Sequence, residues 1–224
     1  MDFKDVVVSR RSMRAYDDSK TVTKDQIEEI VKMASYAPSW KNSQTARYYA
    51  VLDKDKCQEF ATKCLPEFNI RNSKGAAYIV TSFVSGNSGF DTAKNEATNE
   101  CGDGWGYYDL GLNNENLLLA AKEAGLDTLV MGIRDAKAIR EEIGIPDEEI
   151  IVSVIAIGYG TKDAIMPKRK DISGYFILYK LLCIRTHFKE NIFDWNIFNN
   201  RRQCRKFAGL SFFLACVSGE RDSA

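Results

Sequence analysis

The chain has 224 residues with 31 Lys/Arg, 31 Asp/Glu and one His, and 45% of its residues are apolar. That length buries a sizeable core in one main domain, and the ordinary composition excludes a wholly disordered chain. Residues 1–170 hold 23 Lys/Arg against 26 Asp/Glu (net −3) and residues 171–224 hold 8 against 5 (net +3), so the body is a poor non-specific nucleic-acid binder.

Phe3, Val6 and Val7 fit one helical face that ends near Arg10. Thr23-Lys24-Asp25-Gln26 reads as a capping box ahead of Ile27, Ile30, Val31 and Ala34 at helical spacing, and Pro38 stops that helix. Arg47 to Leu52 predicts a strand. Cys57, Phe60, Ala61, Cys64 and Leu65 predict a helix ended by Pro66, with both cysteines in the core. Ala77 to Val84 predicts an apolar strand. Residues 85–106, rich in Gly, Asn, Asp and Thr, read as a long excursion or lid.

Tyr107 to Ala124 predicts a helix closed by Gly125. Leu126 to Met131 reads as a strand, and Asp135 caps a helix carrying Ala136, Ile139 and Ile143. The continuous apolar run Ile150 to Ile157 predicts a central strand buried on both faces. Strands separated by helices give an α+β sandwich around one central sheet. After Ile172 the periodicity fades and aromatics scatter among basic residues. The expected division is a body at 1–170 and an atypical extension at 171–224. An altered or fused reading frame and an arm swapped onto a partner subunit both stay open for the extension.

The start is charged from its second residue and lacks the apolar core of a secretory signal, and no apolar run reaches the ~20 residues of a membrane span. The expectation is a cytoplasmic protein with reduced thiols and no membrane partner. Cysteines 57, 64, 101, 183, 204 and 216 show no Cys-x-x-Cys pair and no metal-like spacing, so no metal site is expected. The sole histidine, His187, lies in the extension, which leaves the body without an imidazole for a Ser-His-Asp or Cys-His device. Gly158-Tyr159-Gly160 follows a strand but lacks the third glycine of a dinucleotide fingerprint. No side chain of the body is expected to be catalytic by itself; a cofactor is the expected carrier of chemistry.

Two basic clusters support that expectation. In Arg10-Arg11-Ser12-Met13-Arg14 an extended backbone would aim Arg10, Ser12 and Arg14 to one side, a set suited to a phosphate and a polar ring edge. Lys168-Arg169-Lys170 follows the last strand. Each cluster alone reads equally well as a solvated surface run.

Together with Ala37-Pro38-Ser39, Asn42 and Gln44, with Asn69-Ile70-Arg71-Asn72, with Asn116-Leu117-Leu118-Leu119-Ala120-Ala121 and the Gly125 turn, and with Pro167-Lys168-Arg169-Lys170, these clusters give residues 3 to about 170 a resemblance to the FMN-dependent nitroreductase family. The resemblance implies a homodimer with a central, mainly antiparallel sheet flanked by helices. It implies FMN as cofactor, NADH or NADPH as donor, and ping-pong reduction of a small nitroaromatic or quinone-type acceptor. Arg10, Lys168 and Arg169 would hold the FMN phosphate, with Arg11 and Ser12 adding backbone and hydroxyl contacts. Arg14 would stand by the pyrimidine edge, where a cation stabilises the charge of the reduced flavin. Pro38, Ser39, Trp40 and Asn42 would reach the partner subunit's flavin. Asn69 and Asn72 would hydrogen-bond the ring system, and Val130, Met131 and Gly132 would pass beside it. Asn72 stands where many relatives have a cation, and the segment after Lys170 differs from their short closing helix.

Other readings are kept beside this one: a flavin enzyme of the same fold with another reaction, such as reductive dehalogenation or flavin destruction, and a non-catalytic flavin-binding protein. A tail binding nucleic acid around Arg201, Arg202, Arg205 and Lys206 is a further one. Trp40 either plugs the dimer core or touches flavin and substrate. Phe90 and Trp105 either roof the pocket or anchor their own loop. Asp109 and Glu115 are expected to face solvent or pair along their helix.

Overall fold

The computed structural model describes residues 2–177. The chain divides into two compact units, 1–168 and 169–224. In the second, the described part holds a single turn, Ile172–Gly174, capped by the Asp171 carboxylate accepting from the Ser173 amide. His187, the basic run 201–206 and the aromatics beyond residue 177 lie outside the described residues.

The first unit is an α+β sandwich. Four strands, β1 (Ala46–Val51), β2 (Ala77–Val84), β5 (Asp127–Met131) and β6 (Glu149–Gly158), form one sheet in the order β1-β2-β6-β5. All three pairings are antiparallel, running Ala50 to Ile79, Val80 to Val154 and Leu129 to Ala156. The two apolar runs become the central strands: Ile79, Val80, Val154, Ile155 and Ile157 are wholly buried. Each such side chain contributes about 1.5–3 kcal/mol by leaving water. The register of β2 on β6 shifts between Thr81 and Ser82, and the buried polar groups there are matched. Thr81 Oγ1 lies 2.9 Å from Ser153 Oγ, while the Glu149 carboxylate accepts from Ser82 Oγ at 2.5 Å and from the Tyr49 hydroxyl at 2.8 Å.

Helices α1 (Phe3–Ser9), α2 (Lys24–Ala34), α3 (Lys54–Cys64), α4 (Glu67–Ser73), α5 (Gly104–Glu123) and α6 (Ala136–Ile143) cover the sheet. The capping box forms as read: Thr23 Oγ1 accepts from the Gln26 amide at 3.2 Å, and Gln26 Oε1 accepts from the Thr23 amide at 3.0 Å. It starts α2, which buries Ile27, Ile30 and Ala34. Asp135 caps α6 through the Ala138 amide, and Gly125, at φ +76°, turns the chain out of α5. Cys57 and Cys64 are buried free thiols on α3.

Three features add to the sequence reading. The chain after Pro66 forms a further helix, α4, with Pro66 at its N-cap. The 85–106 excursion holds a small hairpin, β3 (Phe90–Asp91) with β4 (Glu96–Ala97), and its last residues begin α5. On α1 only Val6 is buried, while Phe3 is 76% exposed and Val7 and Val8 are also exposed. Among the described residues no helix is long and apolar enough to cross a membrane, and no cluster of His, Cys, Asp and Glu could hold a metal ion.

Candidate functional site

The basic segment after α1 is extended, and it is built onto the sheet. Ser12 bridges Thr128 of β5 in parallel, with the Met13 amide donating to the Thr128 carbonyl at 2.9 Å. Tyr16 then bridges Gly160, and the Asp17 amide donates to the Tyr159 carbonyl at 2.8 Å. The alternation expected of an extended strand follows: Met13 is buried, whereas Ser12 and Arg14 face solvent on either side of it. Tyr16 is buried and donates to the Met13 carbonyl at 3.2 Å. Burial, and then the nearby Asp127, keep its phenol protonated far above the usual range.

Arg10 is half-buried, and its Nε lies 3.7 Å from Glu115 Oε1 on α5. Glu115 is exposed, one of the two outcomes expected of it, and its partner lies on another element rather than along its own helix. The Arg11 guanidinium turns back to the Arg10 carbonyl, and Arg14 Nη1 donates to the Ser12 carbonyl at 3.3 Å.

Beside this segment β5 ends in Val130 and Met131, with Gly132 directly after it. Met131 is buried, while Val130 and Gly132 are exposed. A Cβ added at Gly132 would meet nothing within 4 Å, so the strand end faces open space. The following turn is clamped from two sides. Arg134 Nη1 donates to the Gly132 carbonyl at 2.9 Å, and its Nη2 reaches the Ile151 carbonyl. Buried Asn69 of α4 donates its amide to the Ile133 carbonyl at 2.8 Å. Asn69 thus has a structural partner in the chain, while Asn72 lies half-buried one turn along. Arg134 was not singled out in the sequence, because a lone arginine after a strand carries no local signal.

The Pro38–Gln44 loop is the most strained stretch among the described residues. Trp40–Asn42 make one tight turn, and Lys41, Asn42 and Gln44 adopt positive φ of 48°, 57° and 49°. Left-handed backbone at residues other than glycine costs on the order of 1 kcal/mol each, and such strain clusters at functional sites. The neighbours that hold it come from α5 and the excursion. Asp109 Oδ2 accepts from the Trp40 amide at 2.9 Å and from Ser88 Oγ at 2.7 Å, and Ser88 Oγ also lies 2.8 Å from Ser43 Oγ. Ser39 Oγ accepts from the Gln44 amide at 3.1 Å.

Asp109 is 4% exposed, which overturns the expectation that it faces solvent. Helical spacing could not reveal a partner 69 residues away. The Trp40 ring packs on Trp105 at 4.7 Å, and Trp105 Nε1 donates to Asn99 Oδ1 at 3.1 Å. Phe90 is half-buried in the hairpin. The excursion is itself tied down, since the Asp103 carboxylate accepts from Ser85 Oγ and the Gly86 amide.

Through β5 the structure therefore joins Ser12 and Arg14 to Val130–Gly132, and α4 adds Asn69 to the same turn. It holds the loop of Pro38, Ser39, Trp40 and Asn42 separately, through Trp40, on Asp109 and Trp105 of α5. Lys168 and Arg169 are exposed where the two units divide.

This arrangement matches known proteins. The nitroreductase family model matches residues 7–159, and the chain belongs to the nitroreductase family. A protein of Archaeoglobus fulgidus is 27% identical over 158 residues, spanning 69% of this chain and 83% of that one. The oxygen-insensitive NAD(P)H nitroreductase of Enterobacter cloacae is 24% identical over 207 residues, spanning 76% and 95%. The crystal structure of an oxidoreductase containing FMN shares the fold, with a TM-score of 0.61 at 24% identity and coverage of 75% and 81%.

Proposed function

We propose that this chain is an FMN-dependent NAD(P)H oxidoreductase that works as a homodimer and reduces uncharged nitroaromatic or quinone-type acceptors. The observation that carries the reading is the bridge between Ser12 and Thr128, which lays the arginine-bearing segment beside the open end of β5. The relatives support it by name, one being an NAD(P)H nitroreductase and one an oxidoreductase containing FMN.

The residues present fit the cofactor. Arg14 and Ser12 supply a cation and a hydroxyl on the exposed side of the segment, and Gly132 leaves room at the strand end. Arg134 Nε and Trp40 Nε1 are buried donors with no hydrogen-bond partner among the described residues, the former lying two residues past Val130–Gly132 and the latter in the Pro38–Asn42 loop. Donors of this kind cost about 1–3 kcal/mol until an acceptor satisfies them.

Arg10, Lys168 and Arg169 would hold the phosphate, with Arg11 and Ser12 assisting. Arg14 would lie by the pyrimidine edge, Asn69 and Asn72 would hydrogen-bond the ring system, and Val130–Gly132 would pass beside it. FMN when bound supplies the hydride relay from nicotinamide to acceptor. The chain's own residues bind and orient it, offer a cationic field, and exclude water; no side-chain acid is required. Pro38, Ser39, Trp40 and Asn42 would serve the partner's flavin from their strained loop. Exposed apolar Phe3, Val7 and Val8 on α1 support association. In the excursion the one basic residue, Lys94, is already paired with Asp91 at 3.6 Å, which favours uncharged acceptors. The body at 1–170 would be the flavin-binding domain, in the cytoplasm.

Steady-state kinetics with NADH or NADPH and a quinone test the reading. One pocket used in turn by donor and acceptor gives parallel double-reciprocal lines. Intersecting lines, or full turnover by protein stripped of its flavin, would contradict it.

A further inference from the structure

A cavity of about 480 Å³ opens on the first unit, lined by none of the residues assigned to the flavin. Its walls come from the turn at 18–22, from α3, and from α4 with the start of β2. The floor is apolar: Val22, Ala61, Ala77 and Tyr78 are buried, and Leu52 and Ile70 are half-buried beside them. The rim carries four cations, Lys20, Lys54, Arg71 and Lys74, against a single carboxylate, Asp18.

Exposed lysines on α2, α3 and α6 pair with carboxylates on their own or a neighbouring helix. Lys24 pairs with Glu28, Lys56 with Glu59, Lys63 with Glu59 and Glu142, and Lys137 with Glu141. Arg71 and Lys74, one turn apart on the cavity side of α4, make no ion pair with any described residue. The other two are fixed in place. Lys54 Nζ donates to the Asp18 carbonyl at 2.6 Å, and Lys20 lies 3.7 Å from the Asp17 carboxylate and 5.2 Å from the Tyr159 ring centre. The rim is also rigid. Gly75, at φ +85°, closes α4 so tightly on the 16–18 turn that a Cβ there would come within 3.1 Å of the Asp18 side chain.

A concave apolar floor of this size with a few converging charged groups is the usual form of a small-molecule site. We propose that this cavity is a second ligand site, taking a small amphipathic anion whose apolar body lies on the floor and whose carboxylate meets Arg71 and Lys74. Arginine offers the planar fork that matches a carboxylate, and lysine adds a point charge. The site is separate from the flavin because α4 turns a different side to each: Asn69 meets the Ile133 carbonyl, while Ile70, Arg71 and Lys74 line the cavity.

Calorimetric titration of the full chain with 2-naphthoate tests this, with 2-naphthalenemethanol as its uncharged counterpart and inorganic phosphate as an anion without an apolar body. The expected result is one naphthoate per chain, bound at least tenfold more tightly than either comparison probe and unaffected by saturating FMN. Arg71→Glu with Lys74→Glu should weaken it at least tenfold, and Arg71→Ala with Lys74→Ala should weaken it less. These positions are exposed, so the variants keep the fold. Failure of naphthoate to bind, equal binding of the alcohol or of phosphate, indifference to the charge reversal, or displacement by FMN would each overturn the proposal. Should the chain bind no FMN at all, the flavin reading would fail while the naphthoate result stood by itself.

Discussion

The backbone amide of Trp40 donates to Asp109 Oδ2 across 2.9 Å, and the same oxygen takes the Ser88 hydroxyl at 2.7 Å. One buried carboxylate thus fixes both the strained loop proposed to serve the partner's flavin and the start of the excursion above it. Asp109→Ala strands the Trp40 amide and leaves the Ser88 hydroxyl only the Ser43 oxygen 2.8 Å away, and a stranded buried donor costs about 1–3 kcal/mol. Urea unfolding should show a loss in that range. Asp109→Asn, which keeps an acceptor oxygen, should lose less than half of that. A loss within about 0.5 kcal/mol for the alanine variant, the range of an ordinary surface substitution, would mean that the loop holds itself.

Arg10 is shared between Glu115 and, on our reading, the cofactor phosphate. The Arg10–Glu115 pair is long at 3.7 Å and half-exposed, and such pairs contribute about 0–1 kcal/mol. Glu115→Gln should therefore tighten FMN by no more than about fivefold. A hydrogen bond to a charged group contributes about 1.5–3 kcal/mol, so Arg10→Ala should weaken FMN by about tenfold or more. Fluorescence titration of FMN against both variants gives the two numbers. Unchanged affinity in Arg10→Ala would remove this residue from the site.

Two glycines of α5 predict opposite outcomes for one substitution. A Cβ at Gly106 would fall 2.2 and 2.3 Å from Phe83 ring atoms. Phe83 has no room to retreat, being wholly buried and packed against Tyr107 at 4.9 Å. Overpacking of about 1–3 kcal/mol outweighs the helix gain of about 1 kcal/mol, so Gly106→Ala should destabilise. At exposed Gly111 the added Cβ meets nothing within 4 Å, so Gly111→Ala should stabilise by about 0.5–1 kcal/mol. Thermal unfolding of the pair reads the contrast directly.

Glu59 joins Lys56 at 2.8 Å and Lys63 at 2.7 Å, and Lys63 reaches on to Glu142, tying α3 to α6. Hydrogen bonds from Lys56 and then Lys63 pull the Glu59 carboxyl down to about 2 from an ordinary value of 4.5. A depressed carboxyl contributes stability above its unfolded value and loses it as the pH falls. The contribution should be present above pH 4.5 and vanish towards pH 2. Because the group is exposed the effect is small and screened by salt. Comparing denaturant midpoints of the parent and Glu59→Gln between pH 6 and pH 2.5 should show two curves converging as the pH falls. Parallel curves would contradict the assignment.

Much of the fold was legible because strong local signals agreed with it. Ala77–Val84 and Ile150–Ile157 are apolar without interruption, and they became the central strands. Thr23, Asp135 and Gly125 carry cap chemistry that depends on neighbours only three or four residues away. Helix α4 escaped notice because its seven residues include Asn69, Asn72 and Ser73 and show no apolar period. The site was legible only through the order of its motifs. The Ser12–Thr128 bridge spans 116 positions, and the roles of Asp109 and Arg134 depend on carbonyls, amides and hydroxyls supplied by distant segments. No periodicity encodes such contacts.

The most direct test loads the purified chain with FMN, removes the excess, and titrates it anaerobically with NADH and then NADPH while recording the visible spectrum. Our account predicts about one tightly held flavin per chain, bleached by at least one of the two nicotinamides and restored to yellow by a quinone. A chain that emerges colourless, or whose colour neither donor removes, would contradict the claim that arginines beside β5 hold a working flavin.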